Sequence, residues 1–170
     1  MPQVEIFTPT GVVSGNTPRP GLVQQPDLRS PVAVEASRWY PIDGSRPEHR
    51  GSVLVPPDDV LLVYTPDAEI TVHASWYAIT LEIGPYRVTG RLPTPPGFDP
   101  ARALARPGGA FVAIHDATIE LMPRRDAGLA ERSLLHVCRY AVETVESKLM
   151  LGFFFPGAHL SQPAAEVPVA

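Results

Sequence analysis

The chain has 170 residues, enough for one domain or two very small ones. Its 44% hydrophobic content sustains a packed core and excludes wholesale disorder. With 18 acidic against 14 basic side chains, a formal charge of −4 weighs against a partner held by phosphate neutralisation, and the single cysteine, Cys138, excludes a disulfide framework.

The 21 prolines and 13 glycines are scattered between apolar runs, a pattern of many turns and short strands. The opening MPQVEIFTPT has neither the basic nor the apolar stretch of a secretory signal. The longest apolar run, LMLGFFFPG at 149–157, falls short of the roughly 20 residues of a membrane span and is broken by Gly152 and Pro156. The expected setting is the cytoplasm, away from membranes.

Residues 3–15, QVEIFTPTGVVSG, alternate around a Pro-Thr-Gly turn at 9–11 and read as a strand pair. NTPRPGLVQQPD (16–27) is a loop, since three prolines exclude a central strand. PVAVEASRWYPI (31–42) reads as a strand with Val32, Val34, Ala36 and Arg38 on one face and Ala33, Glu35, Ser37 and Trp39 on the other. DGSRPEHRG (43–51) reads as a polar loop. SVLVPPDDVLLVY (52–64) is two short strands broken at Pro56-Pro57, and TPDAE (65–69) links two halves.

Residues 70–92 are a long β-rich run interrupted at Gly84-Pro85, and PTPPGF (93–98) is a loop. Asp99 as an N-cap, Pro100 at the first helical position and the alanines beyond it predict a short helical turn over 99–106. FVAIHDATIEL (111–121) reads as a strand and MPRRDAGLAERS (122–133) as a charged loop. LLHVCRYAVETVES (134–147) carries both helical and strand spacing. Its β-branched and aromatic content favours a strand through Glu146, with a helical turn around 148–151. The tail SQPAAEVPVA (161–170) is Pro/Ala-rich and expected to fray.

The two halves share a pattern. VVSGNTPRPG (12–21) matches VTGRLPTPPG (88–97), with Gly15 on Gly90 at an offset of 75. PVAVEASRW (31–39) matches FVAIHDATI (111–119) at an offset of 80. VLVPPDDVLLVY (53–64) falls on the 134–147 block at an offset near 82, with Val55, Val60 and Val63 on Val137, Val142 and Val145. The offset only grows, by loop-sized steps, as a tandem duplication would produce. Each unit then reads as a strand pair with a Gly, a long loop, a strand, a loop and a bent strand pair.

VTGRL, FVAIHDATIEL and LLHVCRYAVETVE resemble the signature segments of Sm-like small β-barrels across 86–146, and more faintly across 3–64. Sm-like proteins bind RNA in part through an Asp/Asn-bearing turn between their second and third strands. Here the Pro-rich stretch 93–109 stands in that place. The Arg-Gly of the family's closing segment is Arg139-Tyr140 here, and Pro57-Asp58 in the first half. The resemblance thus implies the fold and not the RNA site. The layout is also similar to bacterial domains of unknown function.

Candidate chemistry is sparse. His115 and Asp116 are adjacent on a strand, so they face opposite sides and do not share a substrate. His136 and Cys138 share a strand face, but no further ligand with metal spacing accompanies them. Asp58 and Asp59 read as turn residues after two prolines. No phosphate-binding Gly loop and no nucleophile elbow is present. Arg38, Trp39, Arg46, His49 and Arg50 form a basic–aromatic cluster, and Arg124, Arg125 and Arg132 form a second in the equivalent segment. Such groups stack on bases and meet phosphates, although solvated loops account for them too. Phe153, Phe154 and Phe155 cannot all face one core, which suggests packing between halves or an interface with another chain.

The sequence therefore predicts an all-β protein with minor helix: two tandem small bent barrels over 1–66 and 67–150, then an apolar segment and flexible tail over 151–170. No cofactor, metal or catalytic residue is expected. The expected function is a non-catalytic interaction or assembly module, with a protein partner or self-association. An RNA or single-strand binder using the two basic clusters is the alternative. A small-ligand or metal enzyme around His115, His136 and Cys138 is the third.

Overall fold

A computed structural model describes residues 1–19, 21–22, 28–68, 75–94 and 109–164. Five strands come from the first half: β1 (Gln3–Thr8), β2 (Gly11–Asn16), β3 (Val32–Pro41), β4 (Glu48–Val55) and β5 (Leu62–Tyr64). Six follow: β6 (Ser75–Ile83), β7 (Tyr86–Thr94), β8 (Phe111–Leu121), β9 (Leu129–Cys138), β10 (Thr144–Ser147) and β11 (His159–Ser161). Short 3-10 turns occupy Pro57–Asp59 and Met122–Ala127. The protein is all-β. The helical turn expected over 99–106 lies outside the described residues.

All eleven strands join one sheet in the order β11-β10-β6-β7-β8-β9-β5-β1-β2-β3-β4. Within it, β5-β1-β2-β3-β4 and β10-β6-β7-β8-β9 have the same relative order. The registers agree as well. Phe7 pairs with Leu62 and Glu82 with Thr144. Val4 pairs with Gly15 and Ile79 with Gly90. Val32 pairs with Val55 and Val112 with Val137. The offsets read from the sequence carry each of the first-half pairs onto its second-half counterpart. The halves meet where β5 pairs antiparallel with β9, Leu62 opposite Val137 and Val63 opposite His136.

Two cores flank this junction. Val4, Ile6, Val32, Val34, Val60 and Val63 fill the first, together with Ala110 and Phe111 from the second half. Ile79, Leu81, Val88, Ile114, Leu135 and Val145 fill the second, together with Phe7, Leu61 and Leu62 from the first half. The junction strands thus bury side chains on both faces, which is why 60–64 reads as a continuous apolar run and 134–137 departs from one only at His136, rather than alternating.

Five expectations need correction. The alternation in 31–42 does not continue through Ala36, which has φ +49. Beyond it the inward set switches, so Ser37 is buried and Arg38 exposed. His49 and Arg50 are in β4, not in a loop, and 129–133 begins β9. Both stretches carry charged side chains on solvated strand, so they lack the apolar alternation that signals a strand. No helical turn forms over 148–151, and Ser161 belongs to β11 rather than to a frayed tail.

Both third strands bend at one place. Asp116, with φ +47, holds in β8 the position that Ala36 holds in β3, and the pairing with the preceding strand shifts beside each. Gly15 and Gly90 face these bends. A Cβ on Gly15 would lie 2.6 Å from the Glu35 carbonyl oxygen and 2.7 Å from Val34 Cγ1; one on Gly90 would lie 2.8 Å from the His115 oxygen and 2.6 Å from Ile114 Cγ2. Gly15→Ala and Gly90→Ala are each expected to cost about 1–3 kcal/mol through overpacking, read as a lowered urea midpoint. A variant as stable as the parent would show that the bend tolerates a side chain.

Candidate functional site

Most of the basic–aromatic residues are engaged within the chain. Trp39 lies with its ring against Gly11, and Arg50 covers the ring at 4.7 Å from its centroid. Arg50 also meets Glu48 at 3.2 Å. Arg38 reaches His49 at 3.3 Å, across the register that pairs them. In the second cluster, Arg125 meets Glu120 at 3.5 Å and Arg124 meets Asp126 at 3.8 Å. Arg124 also rests against Gly44, so the 42–47 loop and the Met122–Ala127 turn touch. Arg46 is exposed on that loop.

Arg132 does something the sequence did not reveal. It is the second-half counterpart of Arg50, yet it bridges the halves, meeting Glu5 at 2.8 Å and stacking over Tyr64 at 5.0 Å. Carboxylates from the same chain neutralise Arg50, Arg124, Arg125 and Arg132. Arg50 and the Gly11 backbone take up Trp39.

The same architecture buries His115 and half-buries His136. His115 is 2% exposed, its ring set edge-on to Trp76 at 4.7 Å. Arg91 also stacks on Trp76, at 5.0 Å from the ring centroid, and is ion-paired with Asp116. His136 faces the junction opposite Val63. Among the described residues, neither His115 Nε2 nor His136 Nδ1 has a hydrogen-bond partner. Burial lowers the pKa of both, that of His136 to about 4 with a further push from His115. Both rings are therefore neutral at pH 7. Burial raises the Cys138 thiol, the wrong direction for a thiolate nucleophile. Among the described residues, no three His, Cys, Asp or Glu side chains gather where they could hold a metal ion.

The Phe segment divides by depth. Phe155 is fully buried in the second core, Phe154 packs against that core, and Phe153 is 41% exposed. Arg139, itself buried, organises the segment. Its guanidinium donates to the Phe154 oxygen at 2.9 Å, the Phe153 oxygen at 2.5 Å and the Gly109 oxygen at 3.2 Å. It also stacks on Tyr140 at 4.9 Å. A lone Arg inside an apolar run was the only signal of this role, since a buried guanidinium must find acceptors.

An apolar cleft of about 230 Å³ opens between the halves, lined by Phe7, Val12, Ile42, Tyr86, Leu121 and Leu129 among others. Tyr86 closes its floor by donating to the Thr8 oxygen at 2.7 Å and the Gly11 oxygen at 3.2 Å. At the end of the sheet, β4 pairs with β3 and, among the described residues, with nothing on its outer side. Leu54 on that strand is 66% exposed. Its counterpart in the second half, His136, is packed in the junction. Among the described residues, no helix is long and apolar enough to cross a membrane. Comparison with protein-family models, with curated proteins and with solved structures returns no match to this chain.

An unfolded histidine titrates near 6.5 and folded His136 near 4, so between these values the unfolded state binds more protons. The stability is fully present above about pH 6.5 and is lost as pH falls to about 4, on the order of 3 kcal/mol from His136 alone. Urea titrations across that range should show this slope reduced in His136→Leu, and an unchanged slope would remove His136 as its cause. Arg139→Ala should cost on the order of 3 kcal/mol by stranding buried carbonyls. Hydrogen exchange should then rise across 151–155 first. Uniform exchange would show that Arg139 does not hold that segment.

Proposed function

We propose that this protein is a non-catalytic interaction module made of two copies of one five-stranded unit, and that its contact strand is β4. The observation that carries the reading is the contrast between equivalent strands. β9 is paired on both sides, whereas β4, among the described residues, leaves its outer side open and carries an exposed leucine. An open edge with an apolar side chain is a template for an added strand. The agreement of registers between the halves supports the duplication, and the shared bend supports the likeness to small bent barrels. The neutralised arginines give the nucleic-acid reading less support than the edge. The neutral histidines, one buried and one half-buried, do the same for the enzyme reading.

The register also indicates which peptide matters. Cys138 N–H reaches the Leu61 oxygen at 2.9 Å, across the junction. Strand alternation then turns the His136 peptide toward β5 as well. The equivalence of the two halves places the Leu54 peptide on the open side of β4. Proline is tolerated where an edge N–H faces outward, so Leu54→Pro should leave the fold intact and remove the docking donor. Immobilised parent protein should capture a stoichiometric partner that Leu54→Pro does not, with unfolding midpoints alike. A partner held equally by both proteins, or by neither, would sink the reading.

A further inference from the structure

The sheet has a second end, and there a short strand covers it. There β10 pairs with β6 on one side and with β11 on the other. β11 runs parallel to β10, with Thr144 opposite His159, Val145 opposite Leu160 and Glu146 opposite Ser161. β10 is the counterpart of β5, whose outer side is taken by an antiparallel strand, β9. One hydrogen bond makes the substitution concrete. In the junction, Cys138 N–H donates to the Leu61 oxygen at 2.9 Å; at the far end, His159 N–H donates to the Glu143 oxygen at 2.8 Å. Leu61 and Glu143 are equivalent residues of the two halves, so β11 occupies the slot that β9 fills in the first half.

β11 is a light cover. It has three residues, all exposed, and it follows a turn at Pro156-Gly157. Besides its short ladder it adds a contact of 3.5 Å from Ser161 Oγ to the Val145 oxygen. The strand that would fit the slot antiparallel is the counterpart of β9, and that strand is β4.

We propose that the outer edge of β10 is the docking site for β4 of a second copy of this chain, and that β11 is its removable cover. The inference rests on the edge reading of β4 and adds a second occupant of that edge, with its control. The junction registers, carried over to the equivalent residues, place Thr144 opposite Val55 and Val145 opposite Leu54 of the neighbouring copy. Leu54, exposed in the single chain, then gains the cover that His136 has in the junction. The contact is also restrained, because Pro56 stands at the position of Cys138 and has no N–H to offer the Glu143 oxygen. While β11 is seated the chain stays single. When it lifts, copies join head to tail, a contact between two different surfaces that extends or closes according to its rotation.

The experiment uses the full chain carrying His159→Pro, which removes the N–H that seats β11. Size-exclusion chromatography with light scattering should give the parent a mass of 18.4 kDa. The variant should give a mass at least doubled and rising with concentration, and His159→Pro combined with Leu54→Pro should return to the single-chain mass. Ser161→Pro, whose N–H alternation turns toward β10 as it does that of His159, breaks the same ladder without removing the His159 donor and serves as the second variant should His159→Pro misfold. A folded cover variant that stays at the single-chain mass overturns the proposal, as does association that persists with Leu54→Pro. Loss of partner capture in Leu54→Pro beside a monomeric His159→Pro would leave the edge reading standing and remove self-docking alone.

Discussion

The fold depends on the short ladder between β5 and β9. β5 is only three residues long, yet Leu62 and Val63 are fully buried and point into different cores. Without the ladder, Phe7, Leu61 and Leu62 would leave the second core, and Ala110 and Phe111 the first. Neither half closes its own apolar interior. The polar contacts across the junction act after this burial. The Arg132–Glu5 pair is partly solvated and worth at most about 1 kcal/mol. Tyr86 adds more, because it buries its ring, meets Phe7 edge-on at 5.5 Å and satisfies two carbonyls with one hydroxyl. Burial raises the pKa of that hydroxyl, so it stays a donor at ordinary pH.

Much of the strand pattern was legible because alternation and turn residues are local signals. The strands at 3–8, 11–16, 86–92 and 111–121 show them plainly. The misread stretches share one physical feature. Glu48–Gly51 and Leu129–Ser133 place mostly polar side chains on paired backbone, so pairing, not side-chain burial, makes them strands. Burial on both faces hid the opposite case. The 134–147 block fitted both helix and strand spacing because Leu134, Leu135 and Val137 pack on either side of β9. The turn at Arg139–Ala141 then separates β9 from β10, as the Pro57–Asp59 turn separates β4 from β5.

The candidate residues were legible as types but not as roles. Arg50 and Arg132 occupy equivalent positions and differ in use because of what stands opposite. Arg50 finds Glu48 on its own exposed strand, while Arg132 finds Glu5 across the junction. Sequence spacing carries no trace of that difference, since Glu5 and Arg132 are 127 residues apart. Arg139 was hidden for the same reason. Its acceptors are main-chain oxygens, which every sequence supplies and no motif marks. Phe153, Phe154 and Phe155 were expected to pack between the halves or against another chain; Phe155 is in the second core, and Phe153 is at the surface.

His115 and Asp116 looked like chemistry, and the bend explains them otherwise. A left-handed residue other than glycine costs roughly 1–2 kcal/mol, so its presence calls for a cause. At Asp116 a catalytic cause would be a reasonable first thought, with a histidine beside it. But Ala36 adopts the same conformation at the equivalent place, and alanine has no chemistry to offer. Glycine faces both bends, at Gly15 and at Gly90, and lets the neighbouring backbone close in. What is common to the two sites is therefore the turn of the strand. Asp tolerates the left-handed region better than most residues, and its side chain pairs with Arg91 at the surface. The bend reverses which residues face inward, and in the second half that reversal leaves His115 buried next to Trp76 and Asp116 in solvent.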